Sequence, residues 1–344
     1  MLVRRDEALE IAVSALEGRG APAAHARLQA EVLVEAELKG HPSHGLQRLP
    51  RLIKRIDNGV LDPTSSGRAR WRGSSLLEVD GGMGFGPVVA CAALDELRER
   101  VESTGIAIAA IRNSNHLGML AYYVERLAGS GLAGIALSSS EALVHPFGGT
   151  RAMLGTNPLA IAVPTANRPL VLDFATGLVS MGKIHHHAAS DMPIPDGWAR
   201  DANGRPTTDA SMAKHGAIAP FGGAKGYGLG IAIELLVAAL AGSALAPDIH
   251  GTLDADAVCN KGDILIAMTV NAGDAILGQL SDYLNLVRHS PAADPDRPVA
   301  VPGDGASARR DKALRDGFDI SPRLWDELTA LSEHSSALLR GNQK

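Results

Sequence analysis

The amino-acid sequence predicts an α/β protein in which strands and helices alternate over most of the chain. Short apolar runs of strand length alternate with helical patterns between Ser74 and Val270. The composition fits this class, because 45% of the 344 residues are hydrophobic, 38 are glycine and only 3% are aromatic. A chain of this length forms one large or two ordinary domains with a sizeable core. The strand predictions are Ile106–Ile111, Gly134–Ser138, Leu159–Val163, Leu170–Phe174 and Ile264–Thr269, after strand-like segments that begin at Ser74–Asp80.

Helical spacing of apolar residues predicts three helices before the first strand. The first covers Asp6–Leu16, and the second covers Ala23–Leu38 and ends at Gly40. The third carries Arg48 to Ile56 and closes at Asn58-Gly59, because glycine is common just past a helix end. A polar turn that contains Ser43 and His44 therefore separates the second and third helices.

The glycine-rich run Gly81–Gly86 precedes a predicted helix, Val88–Ser103. Such a run suggests the phosphate-binding turn of a dinucleotide fold. The spacing is not G-x-G-x-x-G, however, and no acidic residue follows a strand at the expected offset. The sequence therefore argues against an ordinary Rossmann domain.

The remaining helices follow the same alternation, and loops rich in Pro, Gly and Asp separate them. A second glycine-rich loop, Phe221–Gly228, opens a long apolar helix. The last helix starts at Ser321-Pro322, with serine at the cap and proline at the first helical position. The predicted helices are Leu120–Leu127, Leu229–Leu240, Ile276–Val287 and Ser321–Leu339, and the predicted irregular segments are Met192–Ala210 and the linker Ser290–Gly305.

Charge and cysteine content limit the kinds of partner and compartment. A net charge of -5 and a pI near 6.2 argue against nucleic acid, which favours a basic face. Cys91 and Cys259 are too few for a disulfide framework, so we expect a reducing cytoplasm. The charged N-terminus shows no secretory signal. The apolar run Leu229–Ala246 contains Glu234 and fits a buried helix better than a membrane span.

His116 is the leading candidate for a catalytic residue. It follows the predicted strand Ile106–Ile111 and the polar segment Arg112–Asn115. Open α/β sheets bind ligands where strands end and helices begin, and histidine exchanges protons near neutral pH. The alternative is a structural histidine that only satisfies hydrogen bonds at the strand end.

Ser43, His44 and Arg48 form a second polar group whose members can face one site. Hydride transfer between a nicotinamide and a carbonyl requires a proton donor, a cation for a substrate carboxylate and a bound cofactor. His116 fits the first role, and the planar guanidinium of Arg48 fits the second. The alternative role for Ser43 is a cap for the third helix.

Three other motifs suggest weaker or competing chemistry. Lys225 lies in a glycine loop at a helix start, where a phosphate is favoured, but the loop lacks the G-K-[ST] ending of a nucleotide triphosphatase. The run His185–His187 does not predict a metal site, because adjacent histidines diverge and no carboxylate stands at ligand spacing. Ser43 or Ser138 as a nucleophile would lack the G-x-S-x-G elbow.

Several motifs, in order along most of the chain, resemble the malate/L-lactate dehydrogenase-like (type 2) 2-hydroxyacid dehydrogenases. Within that family the segments Cys259–Met268 and Asp316–Ile320 resemble sulfolactate and malate dehydrogenases most. The matching motifs are S-H-G-L-Q-R (Ser43–Arg48), N-H-L-G (Asn115–Gly118), P-F-G-G (Pro146–Gly149), G-T-N-P (Gly155–Pro158), D-F-A-T (Asp173–Thr176), P-T-T-D (Pro206–Asp209) and G-G-A-K-G-Y-G (Gly222–Gly228).

The resemblance implies a non-Rossmann NAD(P)-binding fold with a mixed sheet and a helical domain from both chain ends. Residues 71–274 would bind NAD or NADP, and residues 1–70 would pack with helices in 275–344. A homodimer is implied, with active sites near the subunit interface. His116 would be the general acid/base, with Ser43, His44 and Arg48 around the substrate. The implied cofactor-binding residues are Ser140, Thr156, Asn157, Asp173, Phe174, Ala175, Lys183 and Lys225.

Two segments depart from the family pattern and leave NAD versus NADP open. Relatives have I-N-P where this chain has Met268-Thr269-Val270, and a C-terminal P-G-E-x-E motif is weakened to P-G-D-G-A at residues 302–306. Both segments lie in the part of the chain expected to contact the cofactor.

The preferred substrate pair is 3-sulfolactate/sulfopyruvate or malate/oxaloacetate. Alternatives are a lactate or ureidoglycolate dehydrogenase, a cyclic-imine reductase, or a cofactor-binding protein without catalysis. The presence of both His44 and His116 argues against a protein without catalysis. The imine reductases of the family have a carboxylate where this chain has Lys183, which favours a carbonyl substrate. A dianionic substrate also needs a cation besides Arg48, for which the candidates are Arg51, Lys54, Lys183 and His185.

Overall fold

The computed structural model describes the backbone of residues 1–270 and 273–341, and the side chains of these residues except 274 and 334–341. It has the predicted α/β class. The end of the predicted C-terminal helical part, residues 342–344, lies outside the described residues. The strands are β1 (Leu2–Val3), β2 (Arg68–Arg72), β3 (Leu76–Asp80), β4 (Ile106–Arg112), β5 (Leu132–Ser138), β6 (Leu159–Val163), β7 (Leu170–Phe174), β8 (Ala199–Arg200), β9 (Pro206–Thr207), β10 (Ala217–Ile218), β11 (Gly262–Thr269) and β12 (Phe318–Asp319).

The helices surround the main sheet and build a separate helical layer from both ends of the chain. Short 3₁₀ turns occur at Pro42–His44, Leu46–Arg48 and Ala246–Asp248. The α-helices are α1 (Arg5–Glu17), α2 (Ala23–Leu38), α3 (Leu49–Asp57), α4 (Gly86–Thr104), α5 (Ala121–Gly129), α6 (Met181–Ala189), α7 (Ala210–Ala213), α8 (Ala224–Ala241), α9 (Asp274–Arg288), α10 (Asp304–Asp316) and α11 (Pro322–Gly341).

A mixed seven-stranded sheet is the centre of the fold. Its order is β2-β3-β4-β11-β5-β6-β7, so the late strand β11 lies between β4 and β5 and is antiparallel to both. The β3–β4 pair is parallel, and β6 is antiparallel to both β5 and β7. This order is not that of a parallel dinucleotide-binding sheet, which agrees with the poor fingerprint at Gly81–Gly86.

Apolar clusters on the two faces of the sheet hold it between helices. On one face, α4 and α5 bury residues such as Leu97 and Tyr123 against the strands. On the other face, α8 places Ile233 and Val237 against Ile264 of β11. Each fully buried Leu, Ile or Phe side chain contributes about 1.5–3 kcal/mol relative to exposure.

A third apolar cluster joins the two ends of the chain. Side chains of α1, α2 and α3 pack with Phe318, Trp325 and Leu328 from the C-terminal part. Strand β1 pairs with β12, and the N-terminal amine donates to the carbonyl of Ile320 over 2.8 Å. Helix α9 instead hydrogen-bonds to the β6–β7 connection, where Ala166 N–H donates to Leu277 O over 3.1 Å.

Three helices differ from the prediction. Helix α8 begins at Ala224, so most of the predicted glycine loop is already helical. Helix α6 was not predicted, because its His-rich sequence buries only Ile184. Helix α10 occupies the end of the predicted linker and extends beyond it. It buries Ala313 alone and is held by polar contacts, including Arg310 Nε to Glu35 Oε1 at 2.6 Å, so apolar periodicity is weak there.

Among the residues that the structure describes, helix α8 is long and apolar enough to resemble a membrane span. Its position argues for a role in the fold, because it packs on the sheet through Ile233 and Val237. Its midpoint carries the buried carboxylate of Glu234, which accepts hydrogen bonds from Gly155 N, Asn157 Nδ2 and Ala246 N. An ionisable group with several polar partners is typical of a core helix.

Candidate active site

One edge of the main sheet collects the functional segments. Strands β4, β5 and β7 run parallel to one another and end at this edge, at Arg112, Ser138 and Phe174. The antiparallel strand β11 begins there, and Gly262 pairs with Arg112. Ligands of open α/β sheets bind outside the carboxyl ends of strands. The mixed topology therefore brings together residues that are distant in sequence.

Asn115 fixes the segment that carries His116. Its side-chain amide donates to Met83 O at 2.7 Å and to Gly84 O at 3.0 Å, and its oxygen accepts from Arg55 Nε at 2.9 Å. Gly86 at the start of α4 lies so close that a Cβ there would be 2.4 Å from the carbonyl oxygen of His116. The glycine-rich run thus serves to pack against His116.

A hydrogen bond from Gly118 determines which ring nitrogen of His116 carries the proton. Gly118 N–H donates to Nδ1 of His116 over 2.8 Å, so the neutral ring carries its proton on Nε2. Burial, followed by the charges of Arg48, His44 and Lys261, holds the pKa of His116 well below its ordinary value. His116 is therefore a neutral Nε2–H donor in the free protein.

Ser43, His44 and Arg48 lie together beside His116. The ring centroids of His44 and His116 are 5.5 Å apart. Ser43 Oγ is 3.0 Å from Nδ1 of His44. The capping alternative is wrong, because the cap position of α3 is Arg48 and no side chain makes a capping bond there. Burial and the charge of Arg48 lower the pKa of His44 to about 3.

Arg48 has the geometry of a carboxylate clamp. Its Nε donates to the carbonyl oxygen of Ser43 over 2.8 Å, which orients the guanidinium. Its terminal nitrogens make no hydrogen bond to a residue that the structure describes. Burial is the largest cause that lowers the pKa of Arg48, to about 10, so it is still charged at neutral pH.

These side chains line a cleft of about 400 Å³ at the sheet edge. Five of the residues expected to bind the cofactor line the same cleft, from the ends of β5 and β7 and the loop before β6. They are Ser140, Thr156, Asp173, Phe174 and Ala175. The backbone N–H of Thr156 donates to Ser140 Oγ at 3.0 Å, which places the two hydroxyl groups side by side.

Asp173 has a structural role as well. Its carboxylate accepts from the N–H of Ala121 at 2.7 Å, at the first residue of α5. An acidic group at a helix N-terminus satisfies free N–H groups. Burial nevertheless raises the pKa of Asp173 to about 6.

Asn157 does not line the cleft, contrary to the expectation that it binds the cofactor. It is fully buried, and its amide donates to Gly230 O at 3.0 Å and Glu234 Oε2 at 2.6 Å. Its backbone adopts a φ of 34°, a conformation that asparagine tolerates better than most residues. Asn157 therefore orients the loop that presents Thr156.

Lys183 and Lys225 also lie outside the cleft. Lys183 is exposed on α6, with Nζ 4.9 Å from the centre of the Trp198 ring. Lys225 is exposed in the first turn of α8, beside Gly222 and Gly223. These glycines line a second cavity of about 380 Å³. Within the described residues, no group of three His, Cys, Asp or Glu side chains is arranged to hold a metal.

Two charged residues of the cleft were missed from the sequence. Glu141 accepts from the N–H groups of Thr252 and Leu253 at 2.6 and 2.9 Å, which ties that loop to the cleft wall. Lys261 lines the cleft and pairs with buried Asp263. The signal was present, because residues two apart at a strand share one face and two charges there are unusual in an apolar strand.

The fold matches those of solved dehydrogenases. A dehydrogenase from Sinorhizobium meliloti superposes with a TM-score of 0.93 at 56% identity, covering 96% of this chain and 98% of that one. Sulfolactate dehydrogenase from Methanocaldococcus jannaschii superposes with a TM-score of 0.92 at 32% identity, covering 98% of each chain. The chain therefore has the fold of these dehydrogenases, whose mixed sheet is not a Rossmann sheet.

Sequence comparison assigns the family. The model of the malate/L-lactate dehydrogenase family matches residues 3–329. The chain belongs to this family, as its motifs indicated. A Δ¹-pyrroline-2-carboxylate reductase from Pseudomonas fluorescens is 40% identical over 238 residues, which cover 69% of this chain and 71% of the relative.

Proposed function

We propose that this enzyme transfers a hydride between NAD(P)H and a small 2-keto carboxylate. The preferred pair is 3-sulfolactate/sulfopyruvate or malate/oxaloacetate, consistent with the similarity to a sulfolactate dehydrogenase. The observation that carries the proposal is that the unengaged end of Arg48 and the proton-bearing ring of His116 line one cleft.

Arg48 would bind the substrate carboxylate. Its two terminal nitrogens can donate to both carboxylate oxygens, and such charge-assisted pairs are about twice as strong as neutral hydrogen bonds. The bond from Nε to Ser43 O prevents the guanidinium from rotating away. The carboxylate then lies at one end of the cleft and its neighbouring carbonyl lies towards His116.

His116 would donate a proton to the carbonyl oxygen from its doubly protonated ring as the hydride reaches the carbonyl carbon, which leaves the neutral ring behind. General acid–base catalysis of this kind contributes about 10²- to 10⁴-fold. The substrate anion cancels part of the positive charge that lowers the pKa of His116. The ring therefore holds a second proton more readily with substrate bound than without it.

The residues fit a nicotinamide dinucleotide, which supplies or accepts the hydride when bound. Ser140, Thr156 and Phe174 offer hydroxyl groups and an aromatic ring inside the cleft. The N-terminus of α8 offers free N–H groups and the ammonium of Lys225 for phosphate. The rings of Phe174 and Phe221 are 5.4 Å apart and link the cleft to this helix start.

A substrate panel tests the proposed reaction. Sulfopyruvate, oxaloacetate, pyruvate and Δ¹-pyrroline-2-carboxylate are each mixed with NADH or NADPH, and the absorbance of the reduced cofactor is followed. We expect turnover of the keto acids and a clear cofactor preference. An enzyme that reduces the cyclic imine alone would contradict the proposal.

The second candidate function is cyclic-imine reduction, favoured by the 40% identity to a pyrroline-2-carboxylate reductase. Lys183 does not decide between the two functions, because it is exposed and lies outside the cleft. Glu141 on the cleft wall could stabilise a cationic iminium, but three donor groups of Thr252 and Leu253 already engage its carboxylate. The carbonyl reaction is therefore preferred.

We also propose that the protein is a homodimer that uses the outer face of α8. Leu235 and Leu236 are 55% and 46% exposed, and Ile231 is exposed beside them. Contiguous exposed apolar residues mark interaction surfaces. Light scattering at micromolar concentration should give twice the mass of 35.8 kDa, and L235D/L236D should give the mass of one chain.

We further propose a domain formed by residues 1–70 and 275–344 and an NAD(P)-binding domain formed by residues 71–274. The apolar cluster shared by α1–α3 and α11 supports this division. A cytoplasmic location is also proposed, with support from the free and buried thiols of Cys91 and Cys259. Limited proteolysis tests the division, because cleavage should start near residues 70 or 275.

A further inference from the structure

Lys261 and Asp263 form a buried ion pair at the start of the central strand β11, at the edge of the main sheet that forms the cleft. Lys261 is 2% exposed and Asp263 is fully buried. The lysine ammonium donates to both carboxylate oxygens, and Ser138 Oγ donates to Asp263 Oδ1 over 2.6 Å. A buried ion pair is weak evidence for stability, because apolar residues of similar volume often replace it at no cost. The pair therefore calls for a functional explanation.

The pair is oriented with its cation towards the cleft. Lys261 and Ser138 line the cleft, whereas Asp263 does not. Two of the ammonium N–H groups serve Asp263, and the third is 3.5 Å from Ser138 Oγ, a long contact. One donor of Lys261 is thus left for a stronger acceptor in the cleft.

Arg48 and Lys261 act on the same histidine. Both charges lower the pKa of His116, and all three side chains line one cleft. Among the lysines and arginines that the structure describes, these two line it. The cations expected from the sequence do not, because Lys54, Lys183 and His185 are exposed elsewhere and Arg51 is exposed on α3.

We propose that Lys261 is the specificity residue that binds a second anionic group on C3 of the substrate. This inference rests on the proposed keto-acid reaction. Arg48 takes the carboxylate next to the carbonyl, His116 donates to the carbonyl oxygen, and Lys261 takes the sulfonate or second carboxylate. A dianion satisfies both cations, whereas a monoanion satisfies one. The enzyme therefore selects C3-sulfonated or C3-carboxylated keto acids by charge.

The test compares substrates of equal chain length that differ in the second anion. The value of kcat/KM is measured for oxaloacetate and for 2-oxobutyrate, in wild type and in the double variant K261M/D263N. The second substitution removes the carboxylate that would otherwise be buried without a cation. We expect the preference for oxaloacetate to fall by roughly 10- to 100-fold, the value of one charge-assisted hydrogen bond. Loss of the Lys261 charge also acts on His116 and so on both substrates, and the ratio of the two kcat/KM values therefore isolates the effect on the second anion.

Two further variants complete the comparison. K54M removes an exposed cation of α3 by the same chemical change and should keep the wild-type preference. If the double variant does not fold, as judged by thermal unfolding, K261Q provides the same comparison with a donor to Asp263 retained. An unchanged substrate ratio in a folded variant would overturn the role of Lys261. A wild-type enzyme that reduces neither keto acid would instead overturn the proposed reaction.

Discussion

The backbone N–H of Gly118 donates to Nδ1 of His116 over 2.8 Å, so the ring proton of the neutral histidine resides on Nε2. Gly118 holds this position with a φ of 78°, which side-chain-bearing residues rarely adopt. A Cβ at Gly118 would also be 2.8 Å from Cγ1 of Val32. The N-H-L-G motif therefore couples a backbone conformation to the tautomer of the catalytic candidate.

Replacing His116 with alanine should lower kcat by about 10²- to 10⁴-fold, because the proton donor is lost. The dissociation constant of the reduced cofactor, measured by fluorescence titration, should hardly change. H215A is the control, because His215 is exposed and lies outside the cleft. Wild-type turnover in H116A would remove His116 from the mechanism.

The pKa of His116 should rise when a dicarboxylate occupies the cleft. In the free enzyme, burial and the charges of Arg48, His44 and Lys261 hold that pKa well below its ordinary value, so the ring stays neutral near pH 6.5. An anion such as oxalate cancels part of the positive charge, which favours the protonated ring. Nuclear magnetic resonance titration of the His116 ring, with and without oxalate, measures both values. Equal pKa values in the two states would contradict the electrostatic argument.

R48K should raise KM for the keto acid by roughly 10-fold or more, because lysine keeps the charge but loses the paired donors. The cofactor dissociation constant should stay near wild type. R51K makes the same change on an exposed residue three positions further along. Equal shifts of KM and of the cofactor constant in R48K would assign Arg48 to the fold.

Glu37 should make the free energy of unfolding depend on pH. It is 8% exposed, its carboxylate accepts from Leu46 N–H at 2.7 Å, and burial raises its pKa from 4.5 to about 7. The folded protein therefore binds more protons than the unfolded chain between these values, and stability falls as the pH rises from 4.5 to 7. E37Q lacks this loss, which amounts to roughly 3 kcal/mol at most. Urea unfolding at several pH values, with exposed E7Q as control, measures the difference. If the free energy of unfolding depended on pH in the same way for E37Q and wild type, Glu37 would not be the cause of the pH dependence.

K225M should weaken dinucleotide binding by roughly 10- to 100-fold, the value of one charge-assisted hydrogen bond to phosphate. K183M should leave binding unchanged, because Lys183 rests on the Trp198 ring outside the cleft. Fluorescence titration of the reduced cofactor compares the two variants. If K183M weakened cofactor binding as much as K225M, Lys183 would belong to the cofactor site.

Patterns local in sequence predicted most of the fold. The bounds of α2, β6 and β7 agree with the prediction, because their apolar spacing follows the period of the element. Helices α6 and α10 were missed for the opposite reason, since each buries a single side chain. Local sequence patterns also did not predict that β11 lies between β4 and β5, because strand order depends on contacts between distant segments.

The candidate site was predicted where residue chemistry and position both pointed to it. His116, Arg48 and the residues at the end of β7 lie in one cleft. Asn157 and Lys225 belong to the family motifs but lie outside the cleft, because a motif does not state which side chain faces a ligand. The spacing of Lys261 and Asp263 at the start of an apolar strand is a signal in the sequence, but only the structure shows that the lysine lines the cleft and that Ser138 joins the pair.

The insertion of β11 between β4 and β5 has a consequence for synthesis of the chain. Ser138 and Asp263, which are paired in the sheet, are 125 residues apart in sequence. At roughly 5–20 residues per second, a ribosome needs about 6–25 s to cover that distance. Throughout this interval the nascent chain has β4 and β5 without the strand that joins them, and bare strand edges invite aggregation. Chaperone binding during translation should therefore peak after Ser138 emerges and decline once Thr269 has left the ribosome.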